Sequence, residues 1–375
     1  MVYLDNAATT YPKPKAVYDA LDKANREYAF NAGRGSYKVA HEVSEMIQET
    51  RNMIGNLAGV SGDCVSFESS ATEALNIIIN GIDFCDGDTV FVSPFEHNAI
   101  IRPLYNIQQH VDIEIELIPF DKETWELDED HFHDMLAMKN PKAVFVSHVS
   151  NVTGYILPYE KIFRMAKEYE AITVFDCAQS FGVIYPEISN VDFLVFAGHK
   201  SLYASFGVAG FINTGNKNLA VSKSGGTGTD SLNHFMTENG YGRYESGSLN
   251  SVAVAGLNAS VKWLKENPVY TEEKELTDYL INKLRKLDNV QLYLPNQTEK
   301  IFGVISLNVK GYQASDVGMI LSEDYDICVR TGYHCSPFVH DFLNTYDNLG
   351  TVRISLSAFS TTNDVDMLIK ALEEL

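Results

Sequence analysis

The pair His199-Lys200 follows an apolar run from Val191 to Ala197, and Asp176 closes another, AITVF. An amine beside a buried strand end is kept neutral more easily than one in water, which makes Lys200 a candidate nucleophile for a carbonyl group. Asp176 ends a run with no other charge, so its carboxylate needs a donor or a cation. Gln179 lies just beyond it, and His97 sits in the segment EHN after a further apolar run. The stretch SSATEAL places Ser69, Ser70 and Thr72 at a helix start, where hydroxyls and free backbone N–H groups bind phosphate. Ser70 and Glu73 also have capping-box spacing. Nearer the C-terminus, ICVRTGYHCSPFVH sets Cys335 after a glycine turn with Arg330 and His334 close by, and Arg353 lies in TVRISLS.

An amine, a lone carboxylate, a phosphate cradle and an imidazole suit pyridoxal phosphate. Lys200 would anchor it as a Schiff base, and Asp176 would keep the pyridine nitrogen protonated so that the ring accepts electrons. Gln179 would donate to the phenolic oxygen, His97 would lie over the ring face and His199 would donate to the phosphate. Cationic neighbours favour the thiolate of Cys335, and a thiolate facing a substrate sulfur can accept it as a persulfide. The guanidinium of Arg353 suits a bidentate clamp on a substrate carboxylate. His334 either shuttles a proton or shapes the turn. A metal site made of Cys328, His334, Cys335 and His340 is disfavoured, since no Cys-x-x-Cys hairpin is present and adjacent His334 and Cys335 do not readily face one ion.

The elements that must position these groups alternate. Apolar spacing predicts helices over about Ala16–Tyr28 and Tyr37–Ala58. Then CVSF, TVFVSPF, IEIELIPF, KAVFVSHVS, ITVFDCA and DFLVFAG read as strands, with helices opening at Ser70 and covering about Asp130–Ala137 and Pro158–Glu170. Such alternation predicts a mainly parallel sheet covered on both faces, with ligands beyond the carboxyl ends of its strands. Residues 15–255 are assigned to this large domain. Residues 1–14 fold back to join 256–375 in a smaller α+β domain that carries the Cys335 loop and Arg353.

Composition sets the bounds. A chain of 375 residues with 45% hydrophobic content is long enough for one large core and a smaller domain. A formal charge of -21 leaves no basic stripe for nucleic acid. The N-terminus MVYLDNAATTY lacks secretory-signal character, apolar stretches are strand-sized, and five scattered cysteines fit a reducing compartment. The cytoplasm and no membrane span are expected.

Read together, YLDNAATTYPKP, ATEALN, EHN, HVSNVTG, DCAQ, AGHK, YESGSLN, VRTGYHC and VRIS resemble the class V, fold-type I pyridoxal phosphate enzymes, and in particular SufS-like or NifS-like cysteine desulfurases. The resemblance covers almost the whole chain. It implies a seven-stranded large-domain sheet and a homodimer with sites shared at the subunit boundary. Lys200, Asp176, Gln179, His97, Ala71, Thr72, His199 and Asn151 would contact the cofactor. Ser248 would reach the phosphate of the neighbouring subunit. Arg353, Asn151 and Arg34 would bind L-cysteine, and Cys335 would take its sulfur for delivery to an acceptor protein, for instance in iron-sulfur cluster assembly. The chain departs from the family in having Ala197 before the GHK glycine in place of Ser or Thr, Ala71 in place of Thr, and Gly33 in place of His. A longer stretch also separates Cys335 from Arg353. Selenocysteine lyase, another class V lyase or aminotransferase, and a cofactor-binding sulfur-transfer scaffold with little turnover are the alternatives.

Overall fold

The computed structural model describes every residue apart from 33–34 and 229–230, so Arg34 lies outside the described residues. Seven strands form the main sheet in the order Val65–Glu68, Ala209–Asn213, Phe193–Ala197, Ile172–Asp176, Ala143–Ser147, Thr89–Val92 and Glu114–Leu117. All are parallel except Ala209–Asn213, which is antiparallel to both its neighbours. The mainly parallel seven-stranded sheet expected from the sequence is present.

Side chains alternate across it. Phe91, Val144, Val146, Phe175, Leu194 and Phe196 enter one apolar cluster. Their neighbours Val90, Val92, Phe145, Val174, Phe193 and Val195 enter the other. A period of two residues sends successive side chains to opposite faces, and burial of both faces is why these strands read as unbroken apolar runs.

The expected helix over Ala16–Tyr28 divides into an α-helix, Lys15–Lys23, and a π-helical turn, Ala24–Tyr28. Helix Lys38–Leu57 matches the second, and both α-helices pack against Ser251–Glu266, which runs continuously across residue 255. Around the large sheet, two elements escape the sequence pattern. Helix Asn98–Gln108 carries Pro103 inside it, a residue that normally ends a helix. Strand Ala209–Asn213 is short and contains Gly210, where a Cβ would lie 2.0 Å from the Ser66 carbonyl oxygen, so only glycine lets the strands pair.

The C-terminal part contains an antiparallel sheet ordered Arg330–Gly332, Thr351–Ser355, Val304–Val309 and Val290–Tyr293. The N-terminal segment folds back here: Val2–Tyr3 pairs with Ile327–Cys328, and Asp5 bridges to Ser355. Among the described residues no helix is long and apolar enough to cross a membrane.

Candidate active site

A cavity of about 240 Å³ opens beyond the carboxyl ends of the central strands, where Ser147, Asp176 and Ala197 terminate them. Lys200, Asp176, Gln179, His97, Ala71, Thr72, His199, Asn151 and Arg353 all line it, as does Arg330. Cys335 and Ser248 do not.

Lys200 is presented by a tight turn. The Gly198 N–H donates to Val208 O at 3.0 Å, and a Cβ on Gly198 would meet that same oxygen at 2.5 Å. The carbonyl of His199 accepts from Thr10 N at 3.1 Å, Thr9 Oγ1 at 3.0 Å and Lys13 Nζ at 2.7 Å, so the N-terminal segment braces the residue before the amine. Burial pushes Lys13 down to about 7. The Lys200 carbonyl accepts from Tyr203 N at 2.8 Å and Thr10 Oγ1 at 3.3 Å, while its Nζ makes no hydrogen bond or ion pair among the described residues. Burial pushes its amine down to about 8, against the opposing attraction of the Asp176 carboxylate. Asp176 Oδ1 accepts the Ala178 N–H at 2.9 Å. Burial raises its carboxyl above the ordinary range, and that N–H and Lys200 pull it back. Amine and acid therefore sense each other across one cavity.

His97 caps helix Asn98–Gln108, its Nδ1 accepting the Ala99 N–H at 3.0 Å. The ring proton consequently belongs on Nε2. Burial, with the charges of Lys200 and Arg330, holds this imidazole down to about 3, so it stays neutral. Beneath it Glu96 is fully buried and bonded to Ser93 Oγ, to the Ser147 N–H at 2.7 Å and to Ser147 Oγ at 2.7 Å. Burial pushes Glu96 up to about 8, and the Asp176 charge adds to that rise.

At the other end Ser70 caps helix Ala71–Gly81 by accepting the Glu73 N–H at 3.1 Å. The reciprocal half of the expected capping box is different: Glu73 turns back to Ser69, bonding its hydroxyl and its N–H at 3.3 Å. Ser69 is thereby removed from the phosphate candidates. Ser70 and Thr72 stay at the cavity with the amides of the first turn, which have no intrahelical acceptor. His199 stacks on Phe206 with ring centroids 4.5 Å apart, and its buried Nδ1 has no partner among the described residues. Burial holds His199 down to about 3.

Three side chains are more committed than their sequence roles imply. Gln179 Nε2 donates to Ala7 O at 2.9 Å, leaving only its second N–H for a ligand. Arg353 is 1% exposed and bonds Asp5 Oδ1 at 2.6 Å and Asn151 O at 2.9 Å, while its buried Nε has no partner among the described residues. The amide of Asn151 reaches residues 334 and 336, on either side of Cys335.

Cys335 is exposed, and Arg330 Nη2 lies 3.3 Å from its Sγ. Arg330 also lines the Lys200 cavity and stands opposite Arg353 in the strand register. His334 is turned into the fold, its Nε2 bonding Thr351 O and Oγ1, each at 3.0 Å, in a buried position that fits the turn-shaping alternative. Ser248 is exposed, 3.5 Å from Asn31 Nδ2, in the wall of a separate cavity of about 700 Å³. Sequence reasoning missed Asp5, Ala7 and Ser336. Only the polar character of DNAAT signals the first two.

The donor set fits pyridoxal phosphate. An unpaired amine, a carboxylate, an amide donor and a neutral imidazole are available for its ring. Free amides, hydroxyls and an orphaned imidazole nitrogen are available for its phosphate, and the orphaned Nε of Arg353 remains for a carboxylate.

A family model described as "Aminotransferase class-V" matches residues 2–368. A probable cysteine desulfurase of Methanothermobacter thermautotrophicus is 29% identical, the match covering 100% of this chain and 94% of that protein. A cysteine desulfurase of Yersinia pestis is 30% identical over 100% of this chain and 93% of its own. Among solved structures, the apo cysteine desulfurase of Thermococcus onnurineus NA1 superimposes with a TM-score of 0.90 at 28% identity, covering 100% of this chain and 94% of that one.

Proposed function

The chain belongs to the aminotransferase class-V family, and from that premise we propose that it is a pyridoxal 5'-phosphate-dependent cysteine desulfurase. It would convert L-cysteine to L-alanine and leave the sulfur as a persulfide on Cys335. The observation that carries this reading is the bridge made by Arg330, which lines the cavity of Lys200 and Asp176 and also touches the Cys335 sulfur at 3.3 Å. An aminotransferase has no use for a thiol held there, whereas a sulfur-transfer scaffold with little turnover would keep it and is told apart by the rate of alanine release.

Lys200 would anchor the cofactor, Asp176 would face its ring nitrogen, Gln179 its phenolic oxygen and His97 its ring. Ala71, Thr72 and His199 would hold its phosphate. Bound there, pyridoxal phosphate supplies an electron-accepting ring that stabilises negative charge at the substrate α-carbon. The Arg353 guanidinium, fixed by Asp5 and Asn151 O, binds the substrate carboxylate through its free Nε edge and so sets the direction of the sulfur. Lys200 Nζ, whose basicity is reduced by burial, takes the α-proton and returns a proton later. The Cys335 thiolate, next to a permanent cation, attacks the substrate sulfur. The carbon-sulfur bond breaks, its electron pair passes to the β-carbon, and that carbon gains a proton. The products are L-alanine and Cys335 carrying one added sulfur.

We also infer a homodimer. Ser248 is exposed outside its own cavity, and Leu232 and Phe235, on the same long loop, are 93% and 85% exposed. Such a surface suits a second copy, and Ser248 would then serve the partner subunit's phosphate site. An acceptor protein would collect the sulfur from the exposed Cys335.

The test is anaerobic incubation of holoenzyme with L-cysteine, followed by intact-mass detection of one added sulfur and peptide mapping. The sulfur should map to Cys335. The Cys335→Ala variant should keep cofactor absorbance yet lose nearly all alanine release. Full activity in that variant, or sulfur on another cysteine, would overturn the assignment.

A further inference from the structure

We propose that Asn151 is a positioning residue that clamps the Cys335 turn from both sides and ties it to the carboxylate-binding arginine. This rests on the reading of Cys335 as the sulfur acceptor. Asn151 Nδ2 donates to His334 O at 2.8 Å, and Ser336 Oγ donates to Asn151 Oδ1 at 2.8 Å. The residues before and after the thiol are thus held by one amide. All three are buried, with Asn151 7%, His334 2% and Ser336 1% exposed, although Cys335 between them is open to solvent.

The turn needs such restraint. His334 and Cys335 take successive positive φ values of 47° and 60°, a backbone region disfavoured for residues with a Cβ. Further contacts fix it: the Asn98 N–H donates to Cys335 O at 2.7 Å, the Ser336 N–H donates to Tyr333 O at 3.0 Å, and His334 Nε2 bonds Thr351. Asn151 differs from these in reaching the substrate side as well, because its own carbonyl accepts Arg353 Nη1 at 2.9 Å. The chain of contacts runs Asp5, Arg353, Asn151, then His334 and Ser336 around Cys335. Asn151 therefore adds a side-chain link between the group that holds the substrate carboxylate and the group that meets its sulfur, beside the backbone pairing of Arg330–Gly332 with the Arg353 strand. Near-attack geometry of that kind is sensitive to displacements of about 1 Å, worth about 100-fold in rate. The role goes beyond a cofactor or substrate contact, because both ends of the Asn151 amide are already engaged with the turn.

Two readouts on holoenzyme test it. The first is steady-state alanine release from cysteine by Ser336→Ala, Asn151→Ala and the double variant. Loss of one clamp bond should lower kcat by about tenfold in Ser336→Ala, and loss of both by about 100-fold in Asn151→Ala. KM should change by less than about twofold, and the double variant should be no slower than Asn151→Ala, since the Ser336 bond acts through Asn151. The second readout is the rate of Cys335 alkylation by iodoacetamide, mapped by peptide mass, which reports the turn without requiring turnover. It should rise several-fold in both single variants. An unchanged alkylation rate in both would overturn the clamp, as would losses that multiply in the double variant. A raised KM with unchanged kcat would overturn it in favour of a substrate-binding role. If Cys335→Ala retained alanine release while alkylation responded as described, the sulfur-acceptor reading would fall and the clamp would stand.

Discussion

Replacing Glu96 by glutamine should make the protein more stable at neutral and alkaline pH while leaving it active. The carboxyl is fully buried under the cofactor cavity and is pushed from an ordinary 4.5 up to about 8 by burial, with Asp176 adding to the rise. A raised acid holds its proton in the native state after the unfolded chain has lost it. Its contribution to stability is therefore fully present below pH 4.5 and is lost as pH rises through about 8. At about 1.4 kcal/mol per pH unit, the wild type should lose about 3 kcal/mol from this group between pH 4.5 and 7, and about 5 kcal/mol by pH 9.

Glutamine cannot ionise, and it fits the same pocket. Its carbonyl can accept from the Ser147 N–H and Ser93 Oγ, and its NH2 can donate to Ser147 Oγ, which rotates to accept. The buried His97, His148 and His199, each held down to about 3, titrate in the opposite sense between about pH 3 and 6.5. They are common to both proteins and cancel in the difference. The assay is urea unfolding of the two holoenzymes, followed by circular dichroism from about pH 5 to 9. The stability difference should open steadily in favour of Glu96→Gln as pH rises. Parallel curves would refute the protonated buried acid. Activity bears on the same point: a neutral Glu96 places no second negative charge beside Asp176, so Glu96→Gln should release alanine at close to the wild-type rate.

Lys200→Ala should lose the lysine-bound cofactor absorbance and all cysteine-dependent turnover. A borohydride-reducible cofactor link surviving on another lysine would rule out this anchor. Gly198→Ala would place a Cβ 2.5 Å from the Val208 carbonyl oxygen, so the turn presenting Lys200 must shift. Cofactor titration should show affinity reduced by about tenfold or more, given a cost of about 1–3 kcal/mol for overpacking, and wild-type affinity would show that the turn is not what positions the amine.

Runs such as KAVFVSHVS and ITVFDCA are readable because a strand buried on both faces is almost wholly apolar, buried Thr173 being an exception, and the polar cluster that follows marks its carboxyl end. That single rule finds Ser147, Asp176 and the site beyond them. It does not find Ala209–Asn213, because that strand is short and its Gly210 serves a close backbone approach that only the paired strand reveals. The limit is sharper around Cys335. Residue types there point to thiol chemistry, but sequence spacing carries no side-chain direction. His334 and Cys335 are adjacent, yet two positive φ angles turn one ring inward to Thr351 and leave the other sulfur exposed beside Arg330. The same holds for Asp5 and Arg353, which are far apart in sequence and meet at 2.6 Å because the N-terminal segment bridges to Ser355. Chemistry in this site is written into residue type and strand end, whereas alignment between carboxylate arm and thiol depends on contacts among four distant segments. A substitution that preserves every reactive group should therefore still disable the proposed sulfur transfer by loosening those contacts.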